Sequence, residues 1–209
     1  MRVLQIGSTL LLSLLLFMLP FTGYILVIST QPTVYERLVR NSGLFSSEKE
    51  IQEAGKILYQ GLMQGSQITF STQQVKLTED EQTHMLDVSR LLSWNFYGFL
   101  LGLILFFLFI ILIYLKKLWK WLYHTGLGSL ILLVIVLGFG LFYFDGLFTL
   151  FHRILFRNNL WLLPPDSALL SIFSTDFFFR HFMGIFSVVC GWFILVTVSA
   201  NHLMKRSKA

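Results

Sequence analysis

The chain lacks most of what marks a soluble enzyme. It has one cysteine and four prolines in 209 residues. A single cysteine, Cys190, set inside an apolar run, supports neither a disulfide framework nor a zinc knuckle. There is no Gly-rich phosphate loop, no H-E-x-x-H and no internal repeat, so the sequence signatures of nucleotide binding and zincin chemistry are missing. Charge is scarce as well: 13% of residues are charged and 55% hydrophobic, with a mean hydropathy of +0.70. A soluble domain of this length is far less apolar, and the composition implies a multi-span membrane protein.

What is present is four apolar runs long enough to cross a bilayer, which takes about 20 residues. They predict transmembrane helices over 1–28, 91–115, 127–144 and 182–200, none with an acidic or basic residue in its interior. The first is too long for a signal h-region and no clear cleavage site follows it, so it reads as an uncleaved anchor with a kink at Pro20. Without ionisable residues at mid-membrane, a transporter is the poorest fit.

Acidic residues are absent from the N-terminus, from 116–126 and from 201–209. Those stretches hold Arg2, Lys116, Lys117, Lys120, Lys205, Arg206 and Lys208. The positive-inside rule then puts both termini in the cytoplasm and the connections 29–90 and 145–181 outside. The net charge of +5 follows from this topology and gives no reason to expect a nucleic-acid partner. The expectation is an all-α integral membrane protein, N-in and C-in, with four transmembrane helices. A mostly helical extracellular domain joins helices 1 and 2, and an aromatic interfacial loop joins helices 3 and 4.

Varied chemistry is confined to the two outer connections. In the first, Thr33 with Glu36, Ser46 ahead of Ile51, Ala54, Leu58 and Leu62, and Thr78 with Glu81 predict three capped helices, the last running straight into the second span. Between them, 64–77 can hold a short extended piece. On the third helix His84, Asp87 and Leu91 share a face, and Arg90 lies one turn from Asp87. An aspartate one turn from a histidine can fix its tautomer and raise its basicity. The same residues also suit the solvated end of a helix entering a bilayer, and both readings stand.

In the second connection Leu150, Ile154 and Leu155 mark an amphipathic stretch, with His152 and Phe156 on another face. Pro164 and Pro165 are expected to stop that helix, and a second can start at Pro165. So apolar a connection that is not a span fits the membrane interface, with Trp161 and the phenylalanines as anchors. His152 and His84 are both expected just outside a span on the same side of the membrane. His181, His124 and His202 read as boundary residues.

A signal-anchor helix, "YERL" at 35–38, "HMLDV" at 84–88 and "FHRILFRNNLWLLPPDSALL" at 151–170 occur in that order. Together they resemble the lipoprotein intramolecular transacylases of the bacterial envelope, over essentially the whole chain. The resemblance implies an acyltransferase of the bacterial plasma membrane whose active site faces outward. Its substrates would be diacylated lipoproteins embedded in membrane lipid, with no cofactor and no metal. The reaction would move the sn-2 acyl chain of a diacylglyceryl-cysteine to the cysteine's own α-amine, leaving the lyso-form lipoprotein. The family's two key histidines match His84 and His152, with Asp87, Arg157, Asn159, Trp161, Glu36 and Arg37 as supporting candidates.

The residues suit that chemistry. An α-amine, with a reference pKa of about 7.7–8.0, must lose a proton before it can attack, and a neutral imidazole can take it. The expected scheme makes His84, oriented by Asp87, the base and His152 the acid or oxyanion stabiliser, with the exchange of roles left open. Two other classes stay in view. One is a non-enzymatic envelope sensor or assembly protein; the other is a metal-dependent hydrolase built on His84, His152 and His181, for which no ligand spacing speaks.

Overall fold

The computed structural model describes residues 2–70 and 75–207, with side chains from residue 9 onward. The described residues form eight helices and no strand: α1 (Arg2–Ser29), α2 (Pro32–Ser42), α3 (Glu48–Gln64), α4 (Glu79–Lys116), α5 (Trp119–Phe142), α6 (Phe144–Leu155), α7 (Ala168–Ile172) and α8 (Thr175–Arg206). Part of the 64–77 stretch expected to be extended lies outside the described residues. The described remainder from 66 is irregular chain rather than strand.

Four of these helices, α1, α4, α5 and α8, are long and apolar enough to cross a membrane. The chain divides into two compact units. A spanning unit comprises 1–24, 97–144 and 182–209, and a connector unit comprises 25–96 and 145–181.

The spanning unit is held by an apolar seam that includes Leu12, Leu16, Ile113, Leu133, Val189 and Phe193. Leu101, Ile104, Leu108, Ile131, Ile135 and Val198 are exposed large apolar side chains, as expected where the solvent is lipid rather than water. Close helix approach depends on small residues. A Cβ on Gly126 would lie 2.6 Å from Thr197 Oγ1, and one on Gly184 would enter the ring of Tyr24. Such contacts drive association where no hydrophobic effect operates between helices. Trp121 Nε1 donates to Thr9 Oγ1 at 2.8 Å, tying α5 to α1.

The connector unit has a core of the soluble kind. Tyr35, Leu38 and Val39 of α2 pack on Ile51, Ala54, Leu58 and Leu62 of α3, with Met85 of α4 and Leu169 and Ile172 of α7. α2 and α3 cross so closely that a Cβ on Gly55 would lie 2.7 Å from Glu36 Cα. Gly43 and Gly65 end α2 and α3 in the left-handed region, with φ of 68° and 65°, where only glycine is unstrained.

Helix starts differ in detail from expectation. α2 begins at Pro32, not at a Thr33 cap; proline at the first helical position loses no hydrogen bond because that N–H is an orphan anyway. α3 is capped by Ser47 with Glu50, one residue beyond Ser46. Thr78 and Glu81 form the expected box, with Thr78 N donating to Glu81 Oε2 at 2.7 Å and Glu81 N to Thr78 Oγ1 at 3.2 Å.

α4 then runs unbroken for 38 residues, about 57 Å at 1.5 Å per residue. Since about 20 residues cross the hydrocarbon, the polar first turns, with Glu79, Asp80, Glu81, His84, Asp87 and Arg90, stand outside it. Within the connector unit they are pinned by Gln82, which bonds both N and O of Ile68, and by Ser89, whose hydroxyl donates to Leu62 O at 2.6 Å.

Candidate active site

α6 has the amphipathic pattern read from its sequence. Leu150, Ile154 and Leu155 are exposed, whereas His152 and Phe156 are buried. The helix ends at Leu155, well before the prolines expected to stop it. Phe156 turns inward beneath His84, and the Asn158 side-chain oxygen accepts from Leu160 N at 3.1 Å, a local turn that replaces further helix. The short α7 starts at Ala168, capped by Ser167, later than the expected start at Pro165.

This path brings two histidines together from positions 68 residues apart in sequence. The rings of His84 and His152 lie 6.2 Å apart between centroids, and each residue is only 7% exposed. They are too far apart to hydrogen-bond directly and close enough to flank one reacting group. Phe156 stacks edge-on against His84 at 4.9 Å and packs on His152 at 5.6 Å. Phe148 and Trp161 close on His152 at 4.1 Å and 5.1 Å.

The two imidazoles are prepared differently. His152 Nδ1 lies 2.7 Å from the carbonyl oxygen of Phe148, one turn earlier on α6. A carbonyl only accepts, so Nδ1 carries the proton and Nε2 keeps a bare lone pair. His84 Nδ1 is buried and has no partner. Burial, and secondarily the neighbouring His152, push the His84 pKa down to about 4 against a smaller upward pull from Asp87. Burial also lowers His152, partly offset by its bond to Phe148. Both rings are therefore neutral at pH 7.

Asp87 does not hydrogen-bond His84, and its effect on that ring is through-space charge alone. Its Oδ1 accepts from Arg90 at 2.8 Å and its Oδ2 from Asn158 Nδ2 at 2.9 Å. Asn158, which sequence reasoning passed over in favour of Asn159, is thus the polar link, and its backbone oxygen also accepts from Trp161 Nε1 at 3.1 Å. Asn159 and Arg157 are exposed. Glu36 sits at the α2–α3 crossing and Arg37 is exposed. His181 packs edge-on against Phe177 at 4.3 Å. Among the described residues no group of three His, Cys, Asp or Glu side chains is arranged to hold a metal ion.

The family model for lipoprotein intramolecular transacylase Lit matches residues 6–178. The chain belongs to this family. The transacylase is accordingly an acyltransferase and a multi-pass membrane protein, in a family that acts on lipoproteins, which sets aside the non-enzymatic reading. Its fold is that of the in meso structure of the membrane-integral transacylase from Bacillus cereus, with a TM-score of 0.77 at 18% identity over 100% of this chain and 99% of that one. Two variants of the Bacillus cereus protein also match at 18% identity. One has a histidine changed to alanine (TM-score 0.73, 98% of this chain and 96% of that one) and the other a histidine changed to arginine (0.72, 98% and 94%). No significant match exists among curated protein sequences.

Proposed function

We propose that the transacylase transfers the sn-2 acyl chain of a diacylglyceryl-cysteine lipoprotein to the α-amine of the same cysteine, using His84 and His152, on the outer face of a bacterial plasma membrane with both its termini inside. The observation that carries this reading is the pair of buried, neutral imidazoles 6.2 Å apart, one with its tautomer fixed.

Attack of the amine on the sn-2 ester carbonyl closes a ring of about eight atoms, so holding the two groups together supplies much of the acceleration. The fixed tautomer favours His152 as base, the exchanged assignment. Its Nε2 takes the proton from the attacking amine and returns it to the departing glycerol oxygen. His84, kept neutral by burial, offers an N–H to the tetrahedral oxyanion. The new amide C–N bond forms, the ester C–O bond breaks, and the proton ends on glycerol, so no external reactant is consumed. Trp161 and Phe156 keep the site dry. Asp87 holds Asn158 and, through it, the Trp161 wall, while Arg157, Asn159, Glu36 and Arg37 are given no direct role.

The test is conversion of a diacylglyceryl lipopeptide by purified protein in lipid, read by mass spectrometry. The expected result is an N-acyl, S-monoacylglyceryl product with the native chain and its loss in His84→Ala and in His152→Ala, with both variants still inserted and folded. Full conversion by either variant contradicts the histidine mechanism.

A further inference from the structure

Two capping boxes in the connector unit have the same sequence signature and different fates. At Ser47–Glu50 the glutamate serves its own turn only, bonding Ser46 and Ser47 at the surface. At Thr78–Glu81 the glutamate is 2% exposed, and no described ion pair involves it. Its second oxygen, Oε1, leaves the box to accept from the Ser167 hydroxyl and from Leu169 N at 3.1 Å, 86 and 88 residues away. Burying a carboxylate is costly unless its lone pairs are filled. A helix cap alone does not require that cost. Burial pushes the Glu81 pKa up, yet the bonds from Ser167, Thr78 and Leu169 outweigh it and hold the carboxyl below its usual value. Glu81 is therefore an ionised, acceptor-only group at neutral pH.

Its position is informative. Glu81 lies one turn before His84 on α4 and Asp87 one turn after, so 81, 84 and 87 follow one stripe. Both carboxylates reach the segment that follows His152 in the chain: Asp87 at Asn158 and Glu81 at Ser167 and Leu169. Between those attachment points lies Trp161, which packs on His152. We propose that Glu81 and Asp87 are a two-point clamp fixing α4 to the 158–169 segment, and that Glu81 is a positioning residue setting the register of His84 against His152 and Trp161. The inference rests on the proposed acyl transfer for its consequence but not for its geometry.

A glutamine at 81 retains the shape and turns one acceptor into a donor facing groups that also donate. Glu81→Gln is expected to lower kcat about 10- to 100-fold, the scale of a small misplacement of reacting groups, with KM within about twofold. Glu50→Gln, at the box that serves only itself, is expected to leave both unchanged. Ser167→Ala removes one donor from the clamp and leaves the carboxylate in place; it is expected to lower kcat in the same direction, and it serves if Glu81→Gln fails to fold.

A second measurement needs no substrate. In histidine-labelled protein followed by NMR, His84 is expected to titrate near pH 4 in the native chain and to move toward its ordinary 6.5 when the clamp is opened. The charged and titratable neighbours of that ring are Asp87 on its own helix and His152 on α6, and neither is altered by these substitutions. Native kcat in both clamp variants, or a loss matched by an equal loss of folded protein, overturns the clamp. If the native chain converts no lipopeptide, the acyl-transfer reading fails by itself, and an unmoved His84 titration in both variants then overturns the clamp independently.

Discussion

Lowering the pH from 7 to 5 should destabilise the native chain in part through His84, and replacing that histidine should remove its share of the effect, leaving that of His152, which burial lowers as well. The folded-state pKa is about 4 against an ordinary 6.5. Above pH 6.5 neither state binds a proton and the full stability is present. Between 6.5 and 4 the unfolded chain takes up a proton that the folded chain refuses, so stability falls; below 4 the loss is complete. At 1.36 kcal/mol per unit, the step from pH 7 to 5 corresponds to about 2 kcal/mol, which residual solvent screening at a ring not wholly sealed reduces to about 1–2 kcal/mol. For a domain of this size that is a shift of about 2–8 °C in Tm. The lone half-buried Cys190 provides the assay, since a thiol-reactive fluorogenic dye reports its exposure on heating. His84→Gln carries no titrating ring and should lose less Tm than the native chain between pH 7 and 5, by that margin. Carboxylates held low, such as Glu81, lose their contribution only at still lower pH. Equal losses in the two proteins would refute the argument that burial holds His84 neutral.

Asp87→Asn breaks an ion pair with Arg90 and weakens the hold on Asn158, and it should cut the rate about tenfold, on the scale of lost positioning; a lipopeptide assay reads it. Arg90→Ala removes only the exposed half of that pair and should change stability by less than about 1 kcal/mol, measurable as an almost unchanged Tm. Trp161→Ala uncovers His152 and should lower kcat more than it lowers Tm, because the half-buried ring packs on the imidazole and belongs to neither apolar core. Gly184→Leu drives a side chain into Tyr24 within the spanning unit and should cost about 1–3 kcal/mol, as overpacking does, seen as a lower Tm at unchanged KM.

The spans were legible because twenty apolar residues without charge have few other uses, and α3 was legible because Ile51, Ala54, Leu58 and Leu62 keep the helical period that the structure buries. That α6 has two faces was legible from the same period, but not which of them turns in: the structure buries His152 and Phe156 and leaves Leu150, Ile154 and Leu155 exposed. The long-range bonds were not. Thr78 and Glu81 announce a local cap, and nothing near them in sequence points to Ser167. Asp87 one turn from His84 suggested a tautomer-fixing bond, but its oxygens are taken by Arg90 and by Asn158, 71 residues on. The group that does fix a tautomer is a backbone carbonyl, Phe148 O, which any residue at that position would supply. The end of α6 was misplaced because proline is a visible stop, whereas the turn at Asn158 depends on tertiary partners.

The most direct test of the central claim follows the acyl chain itself. Two diacylglyceryl lipopeptides are mixed, one carrying heavy isotope in both its sn-2 acyl chain and its peptide and the other unlabelled, and the products are resolved by mass spectrometry. The sn-2 label is expected on nitrogen, always on the peptide that brought it, with the native chain and not with His84→Ala or His152→Ala. An unlabelled acyl group on the nitrogen of a labelled peptide with the sn-2 label left on glycerol, label crossing between peptides, or transfer that survives loss of either histidine would contradict it.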